Sequence, residues 1–424
     1  MIKKYQLNRV DAKPTTLTAA KVLHLQLNPL STNGIIAMNS IYFDHNATTA
    51  LDNRVLEVML PWMRSQSGNP TSRHVFGRAA RDAVEQARAQ VAEVCGAYSS
   101  QVIFTATGTE ANNFAVKGMA EIKTPVLNQQ ATQILSSAIE HPCVTRPAMA
   151  MQQSGYISRQ IAVNTYGKVD LTQLQAQLAA PTSLVSVMLA NNETGVIQEI
   201  AAIAEMARRA GALMHTDAVQ GLGKLPLNFA DLNVHAMTIS SHKIHGPQGA
   251  AALILDKRVD IQPLLHGGGQ EKGLRSGTEN IAAIVGFGAA CELAAANVKN
   301  YAAHTQMLRD QLEQGLTVMA ARIFGNGAQR LSNTSFFAVN DIEGETLVMA
   351  LDRKGYAVAS GSACSSDSTE PSHVLLAMGV HEDTARGAVR VSFGADNTAA
   401  QVRDFLVTLN NEVVRLKQLT AIAA

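Results

Sequence analysis

Ala236-Met237-Thr238-Ile239-Ser240-Ser241-His242-Lys243-Ile244-His245-Gly246-Pro247 is the stretch on which the reading of this chain turns. The apolar run 236–239 has the look of a buried strand. A lysine soon after it, among hydroxyls, an imidazole and a Gly-Pro turn, is poorly explained by packing or solubility, because lysine is rarely fully buried without a partner. A Schiff-base lysine accounts for it well. Upstream, Asp217 closes a second apolar segment, Ala212-Leu213-Met214-His215-Thr216-Asp217. A carboxylate set against a pyridinium nitrogen is what pyridoxal phosphate requires beside its lysine. Lys243 and Asp217 together point to that cofactor.

Working outward, the same alternation recurs. Ala80, Val84, Ala87, Val91 and Val94 draw one stripe on a helix over about 78–95, and Gly96 is placed to end it. Residues 102–105 read as a short buried strand followed by Gly108-Thr109-Glu110 and a helix through Met119. Further strands are expected at 134–138, 184–190, 213–216, 236–240 and 250–255, with helices from about His141 and Ile200. Buried strands interleaved with helices predict an α/β fold with a mostly parallel sheet covered on both faces. The texture changes after about residue 295. A helix over 302–319, segments at 331–339 and 343–353, a small-residue loop at 360–369, a strand at 389–393 and a terminal helix predict a second, smaller α+β domain. The expected division is an extension over 1–37, a segment of the small domain over 38–54, a large cofactor-binding domain over 55–295 and a small domain over 296–424.

At 424 residues and 46% hydrophobic content the chain can bury a sizeable core. A net charge of +1 gives no basic surface for nucleic acid and no polybasic tract for an anionic membrane. No uninterrupted apolar run approaches the roughly 18 residues that span a bilayer, so a cytoplasmic protein is expected. Four cysteines without a C-x-x-C pair suggest neither a disulfide framework nor a thiolate metal site. The first 37 residues carry several lysines against a single acid, which reads as an upstream extension ahead of Met38 rather than an organellar leader.

Several segments can carry chemistry. Thr105-Ala106-Thr107-Gly108-Thr109-Glu110 opens a helix after a strand, where amides and hydroxyls can hold a phosphate or form an ordinary cap. His141, in Glu140-His141-Pro142, can lie against a cofactor ring or move protons. Asn192, in Asn191-Asn192-Glu193-Thr194-Gly195, also follows a strand. In open parallel sheets ligands collect beyond the carboxyl ends of the strands, and residues 109, 141, 192, 217 and 243 all fall there. The small-residue segment 359–369 has no helical or strand period and reads as a loop presenting Cys364, a thiol that can reach a cofactor-bound group. Arg390 either clamps a substrate carboxylate or makes a structural salt bridge. Cys95 and Cys291 fall in helical patterns and read as core; Cys143 stays open. The glycine-dense 266–278 is either a phosphate-approaching loop or a subunit contact.

Taken together, Asp44-His45-Asn46-Ala47-Thr48-Thr49, Gly68-Asn69-Pro70, Ala190-Asn191-Asn192-Glu193-Thr194-Gly195, Ser241-His242-Lys243, the 266–278 run and Ser360-Gly361-Ser362-Ala363-Cys364 resemble the pyridoxal-phosphate-dependent cysteine desulfurases of the class V aminotransferase group, long-loop type. The resemblance covers about residues 40–395. It implies a fold type I transferase with a seven-stranded sheet. It makes Lys243 the Schiff-base residue, Asp217 the partner of the pyridine nitrogen, Gln220 a donor to the ring hydroxyl and His141 the stacking imidazole. It sets Gly108, Thr109, Ser240 and His242 on the phosphate, with Thr278 reaching it from the other subunit of a homodimer. Asn192 and Arg390 would bind the substrate carboxylate, and Cys364 would take sulfur from L-cysteine as a persulfide for an iron-sulfur scaffold or thiolation enzyme. A selenocysteine lyase, an aminotransferase of the same fold and a non-catalytic scaffold are the alternatives. The N-terminal extension is unusual for the family. The chain also stops soon after Leu416-Lys417-Gln418-Leu419, without the longer tail with which housekeeping members dock their scaffold, so the acceptor stays open.

Overall fold

The computed structural model describes residues 40–122, 132–361 and 370–423. Beyond a short β1 (Ile41–Tyr42), the larger sheet has seven strands among the described residues. They are β2 (Val102–Thr105), β3 (Gln133–Ser137), β4 (Ile157–Ile161), β5 (Thr182–Ser186), β6 (Leu213–Asp217), β7 (Ala236–Ser240) and β8 (Ala251–Leu255). Their order is β2-β8-β7-β6-β5-β3-β4. Strand β8 runs antiparallel to both neighbours, and the other pairs are parallel. The carboxyl ends of β2, β3, β5, β6 and β7 therefore share one edge.

Side-chain parity shows why the strands read as uninterrupted apolar runs. Leu135, Val185, Met214, Met237 and Ile254 face one core with the helices Val75–Val94 and Ile200–Arg209. Their immediate neighbours Ile134, Leu184, Leu213, Ala236 and Leu253 face another, with Gly108–Ala120 and Pro142–Ala150. With both faces buried, polar alternation disappears. Strand β4 is different. In Ile157-Ser158-Arg159-Gln160-Ile161 only Ile161 is buried, as suits an edge strand, and the sequence reading did not locate it.

A second sheet holds β9 (Arg322–Ile323), β10 (Thr334–Ala338), β12 (Ala359–Ser360) and β13 (Ala388–Ser392) in the order β12-β13-β10-β9, while β11 (Tyr356–Ala357) pairs with β1. Phe337, Val389 and Val391 pack on the helices Gly344–Asp352 and Ala399–Ala423. On the opposite face Phe336 and Ala388 meet Ile139 and Met188, which leave the ends of β3 and β5. This apolar cluster joins the two sheets beside the site.

One helix corrects the expectation. It runs over Ile281–Val318 rather than starting near 302, and the expected boundary at 295/296 falls inside it. Its first half packs Ala283, Ile284 and Phe287 into the large core, its second half packs Leu308, Leu312 and Leu316 into the small one. By length and composition it is apolar enough to cross a membrane, with mean hydropathy 1.7 over an 18-residue window, although no uninterrupted apolar run suggested one. Its apolar surface here meets other helices: a Cβ added at Gly288 would lie 2.8 Å from Ala87 Cα, so glycine permits the close approach.

Candidate active site

Along the shared strand edge lies a cavity of about 460 Å³, lined by Gly108, Thr109, His141, Asn192, Asp217, Gln220, Ser240, His242, Lys243 and Arg390. Residues spread over most of the chain converge here because all but Arg390 end or follow strands that the larger sheet points the same way, while Arg390 reaches in from β13 of the second sheet. Lys243, in the turn after β7, sets Nζ 2.6 Å from the Asn46 carbonyl, with Ala47 accepting beside it. Asp217 ends β6. Its Oδ2 accepts from Asn112 Nδ2 at 2.6 Å and its Oδ1 from the Val219 amide at 3.0 Å.

The helix Gly108–Ala120 opens with Thr107 as its cap, the Thr107 hydroxyl accepting the Glu110 amide at 3.0 Å. The amides of Gly108 and Thr109 precede the first intrahelical bond and remain available to an anion. Ser240 Oγ is buried and has no hydrogen-bond partner among the described residues. A Cβ on Gly108 would come 3.6 Å from Ser240 Cβ, so the glycine keeps this corner open. His242 bonds Thr48 Oγ1 through Nδ1 at 3.2 Å. Burial and the Lys243 charge push its imidazole down to about 4, so near neutral pH it hydrogen-bonds without adding charge. Burial also lowers His141, opposed by Asp217 and reinforced by Lys243.

Arg390 makes a salt bridge while lining the cavity. Nη2 donates to Asp44 Oδ1 at 2.6 Å and Nη1 to the Asn192 carbonyl at 3.0 Å, while Nε is buried without a partner. Thr278 is exposed and is not among the residues lining the cavity, so its expected contact needs a second copy of the chain. Cys364 lies outside the described residues, as do residues 1–37. The described positions on either side of Cys364 attach at the site. Gly361 N–H donates to Ala388 O at 3.0 Å, Ala359 pairs with Arg390, and the Ser372 hydroxyl donates to Glu193, the neighbour of Asn192.

Sequence reasoning gave no role to Asn46, Lys224 or Asn112. Asn46 is a hub: its carbonyl also accepts Gln220 Nε2 (3.0 Å), its Oδ1 accepts Lys224 Nζ (2.8 Å), and its Nδ2 reaches Thr334 Oγ1 (2.9 Å). Lys224 donates as well to Gln220 Oε1 at 2.6 Å. Burial, with Lys243 and Arg390 nearby, holds its amine well below the usual lysine range. The only sequence signal for this network was Asn46 inside the Asp44–Thr49 motif. The glycine-dense run is tied to the helices Val75–Val94 and Gly108–Ala120 by Glu271, which grips Arg88, and by Arg275, whose Nε is 2.6 Å from Glu110 Oε1.

Residues 41–405 match the family model described as aminotransferase class-V, and the chain belongs to that family. Within it the chain stands with the cysteine desulfurases. That of Nostoc sp. is 40% identical over 385 residues, covering 90% of this chain and 95% of that protein. That of Cereibacter sphaeroides is 42% identical over 391 residues, covering 91% and 99%. The solved structure of a NifS-like protein is 36% identical with a TM-score of 0.82, covering 89% of this chain and 100% of that one.

Enzymes of this family use pyridoxal phosphate, and the residues present fit it: an orphaned buried hydroxyl and two open amides at a helix start suit a phosphate, and the oriented Asp217 carboxylate suits a pyridine nitrogen. Ser240→Ala is expected to weaken cofactor affinity about tenfold or more, the value of a hydrogen bond to a charged group, with the melting curve of the apo protein unchanged. Equal affinities by equilibrium dialysis would remove Ser240 from the cofactor's phosphate.

Proposed function

We propose that this protein is a cysteine desulfurase that converts L-cysteine to L-alanine, holds the sulfur as a persulfide on Cys364 and passes it to an acceptor protein. The observation that carries this reading is the convergence of Lys243, Asp217, His141 and Arg390 on one cavity whose rim is attached to both flanks of the Cys364 segment. Bound pyridoxal phosphate supplies the electron sink for bond breaking at the substrate α-carbon. The chain supplies the rest. Gly108, Thr109, Ser240 and His242 hold the phosphate, Asp217 and Gln220 orient the ring, and Lys243 and His141 move protons beside it.

Arg390 and Asn192 receive the substrate carboxylate. Arg390 is already fixed by Asp44, so little side-chain freedom is lost on binding. The Cys364 thiolate attacks the substrate sulfur: an S–S bond forms as the C–S bond breaks, and the carbon takes a proton and departs as alanine. Cys364 is three residues beyond Gly361, so chain length alone keeps the two Cα atoms within about 11 Å. The active form is a homodimer in which Thr278 of a second copy completes the phosphate site. The acceptor is an iron-sulfur scaffold or a thiolation enzyme, and the setting is the cytoplasm, in keeping with Cys95 and Cys291 buried as free thiols.

Incubation of holoenzyme with L-cysteine should release alanine and leave one extra sulfur on the peptide containing Cys364, read by mass spectrometry. Amino-group transfer to a keto acid without loss of sulfur would instead make the protein an aminotransferase.

A further inference from the structure

Cys143 lines the same cavity, and its thiol is not free to play any part: a directed chain of hydrogen bonds runs through it. At one end, the Asp217 carboxylate accepts only, which fixes Asn112 with its Nδ2 toward Oδ2 at 2.6 Å. The other hydrogen of that amide points to Cys143 Sγ at 3.0 Å. At the far end, the Cys143 backbone N–H donates only, and it donates to His141 Nδ1 at 3.1 Å because His141 caps the helix Pro142–Ala150. Nδ1 is therefore a bare acceptor, and Cys143 Sγ lies 2.9 Å from it. With both ends fixed, the middle has one solution: Sγ accepts from Asn112 and the S–H donates to Nδ1.

We propose that Asn112 and Cys143 are positioning residues that reinforce the neutral tautomer of His141 set by the Cys143 backbone amide, with the ring proton on Nε2, by coupling the ring to Asp217. The competing arrangement is a Cys143 thiolate paired with a His141 imidazolium, which would make Cys143 a second nucleophile. It requires a proton on Nδ1, where the Cys143 amide already points. Burial, with Asp217 and Glu140 behind it, also pushes the Cys143 thiol up and so keeps it protonated. Around the imidazole, Asp217 from β6 favours the charged ring. Burial opposes that charge, as do Lys243 from the turn after β7, His373 from the helix His373–Ala377 and Arg146 on the ring's own helix. The consequence for the proposed reaction is that His141 first meets the cofactor side as a hydrogen-bond donor through Nε2, with Nδ1 withheld.

This inference rests on His141 working beside the cofactor, but its test does not need cysteine turnover. In holoenzyme labelled with ¹⁵N-histidine, the His141 signals are identified by their loss in His141→Gln. Nδ1 should read as unprotonated and Nε2 as protonated. In Cys143→Ala the ring should titrate higher by about half to one pH unit, since a donor that favours the neutral form is gone, while the backbone amide keeps the ring proton on Nε2. Cys143→Ser, which keeps a donor, should restore the wild-type midpoint. A protonated Nδ1 in the wild type, or matching midpoints for wild type and Cys143→Ala, would overturn the assignment. Failure of wild-type desulfuration with the tautomer as stated would count against the function alone.

Discussion

Cys364→Ala holoenzyme should keep its pyridoxal phosphate and its absorbance yet lose sulfur transfer from L-cysteine by at least about a thousandfold, the scale seen when a nucleophile is removed. The two halves of this expectation have separate origins. Cofactor retention depends on Gly108, Asp217, Ser240 and Lys243, which sit at the ends of β2, β6 and β7 or in the turns after them and are left intact by the substitution. Sulfur abstraction depends on a thiol, and Cys143, which lines the cavity, cannot substitute: it is held protonated by burial and is engaged with Asn112 and His141. Measured alanine and sulfide at wild-type rates would show that sulfur leaves by another route.

Glu271→Ala carries the largest expected cost in stability, about 3 kcal/mol, the low end for a buried charge that loses its partner, because Arg88 keeps the exposed Glu85, 3.1 Å from its Nε. Arg88 and Glu271 meet side by side, Nη1 to Oε2 and Nη2 to Oε1, both at 2.7 Å, with side chains only 5% and 2% exposed. Oε2 also accepts the Phe104 amide at 2.8 Å, and Arg88 Nη1 donates to the Val102 carbonyl at 2.9 Å. One carboxylate thus joins the glycine-dense run, the helix Val75–Val94 and strand β2. Glu271 and Lys272 adopt left-handed backbone with φ of 47° and 61°, a strained shape that the Glu271 contacts help to hold. Domains of this kind have roughly 5–15 kcal/mol in total, so the shift should be plain in urea titrations. Replacing both partners with methionine should recover part of the loss. A Glu271→Ala midpoint within error of wild type would show that the pair does not brace the fold.

The core sheet was legible because most of its strands are buried on both faces, so β2, β3, β6 and β7 stand out as short blocks. The cavity was legible because Asp217 ends β6, Lys243 follows β7 and His141 follows β3. What escaped notice did so for identifiable reasons. Strand β4 buries one residue of five and resembles a polar linker. The opening of the helix Ile281–Val318 is apolar on nearly every side and so has no 3.6-residue rhythm to detect. Asn112 sits in mid-helix and Lys224 between Gly223 and Leu225, both ordinary surroundings, and their partners lie 105 and 178 residues away. Arg390 could not be assigned to salt bridge or clamp beforehand because it lines the cavity while paired with Asp44.

The helix Ile281–Val318 has a mechanical consequence. Because a single rod is bolted into both cores, the two sheets have no flexible strap between them at 295, and twisting one against the other would have to bend 38 residues of continuous backbone ladder. Cutting the gene there would not liberate two modules. It would saw through a shared axle and strip Phe43, which lies before the cut, from the small core that holds Leu308, Leu312 and Leu316.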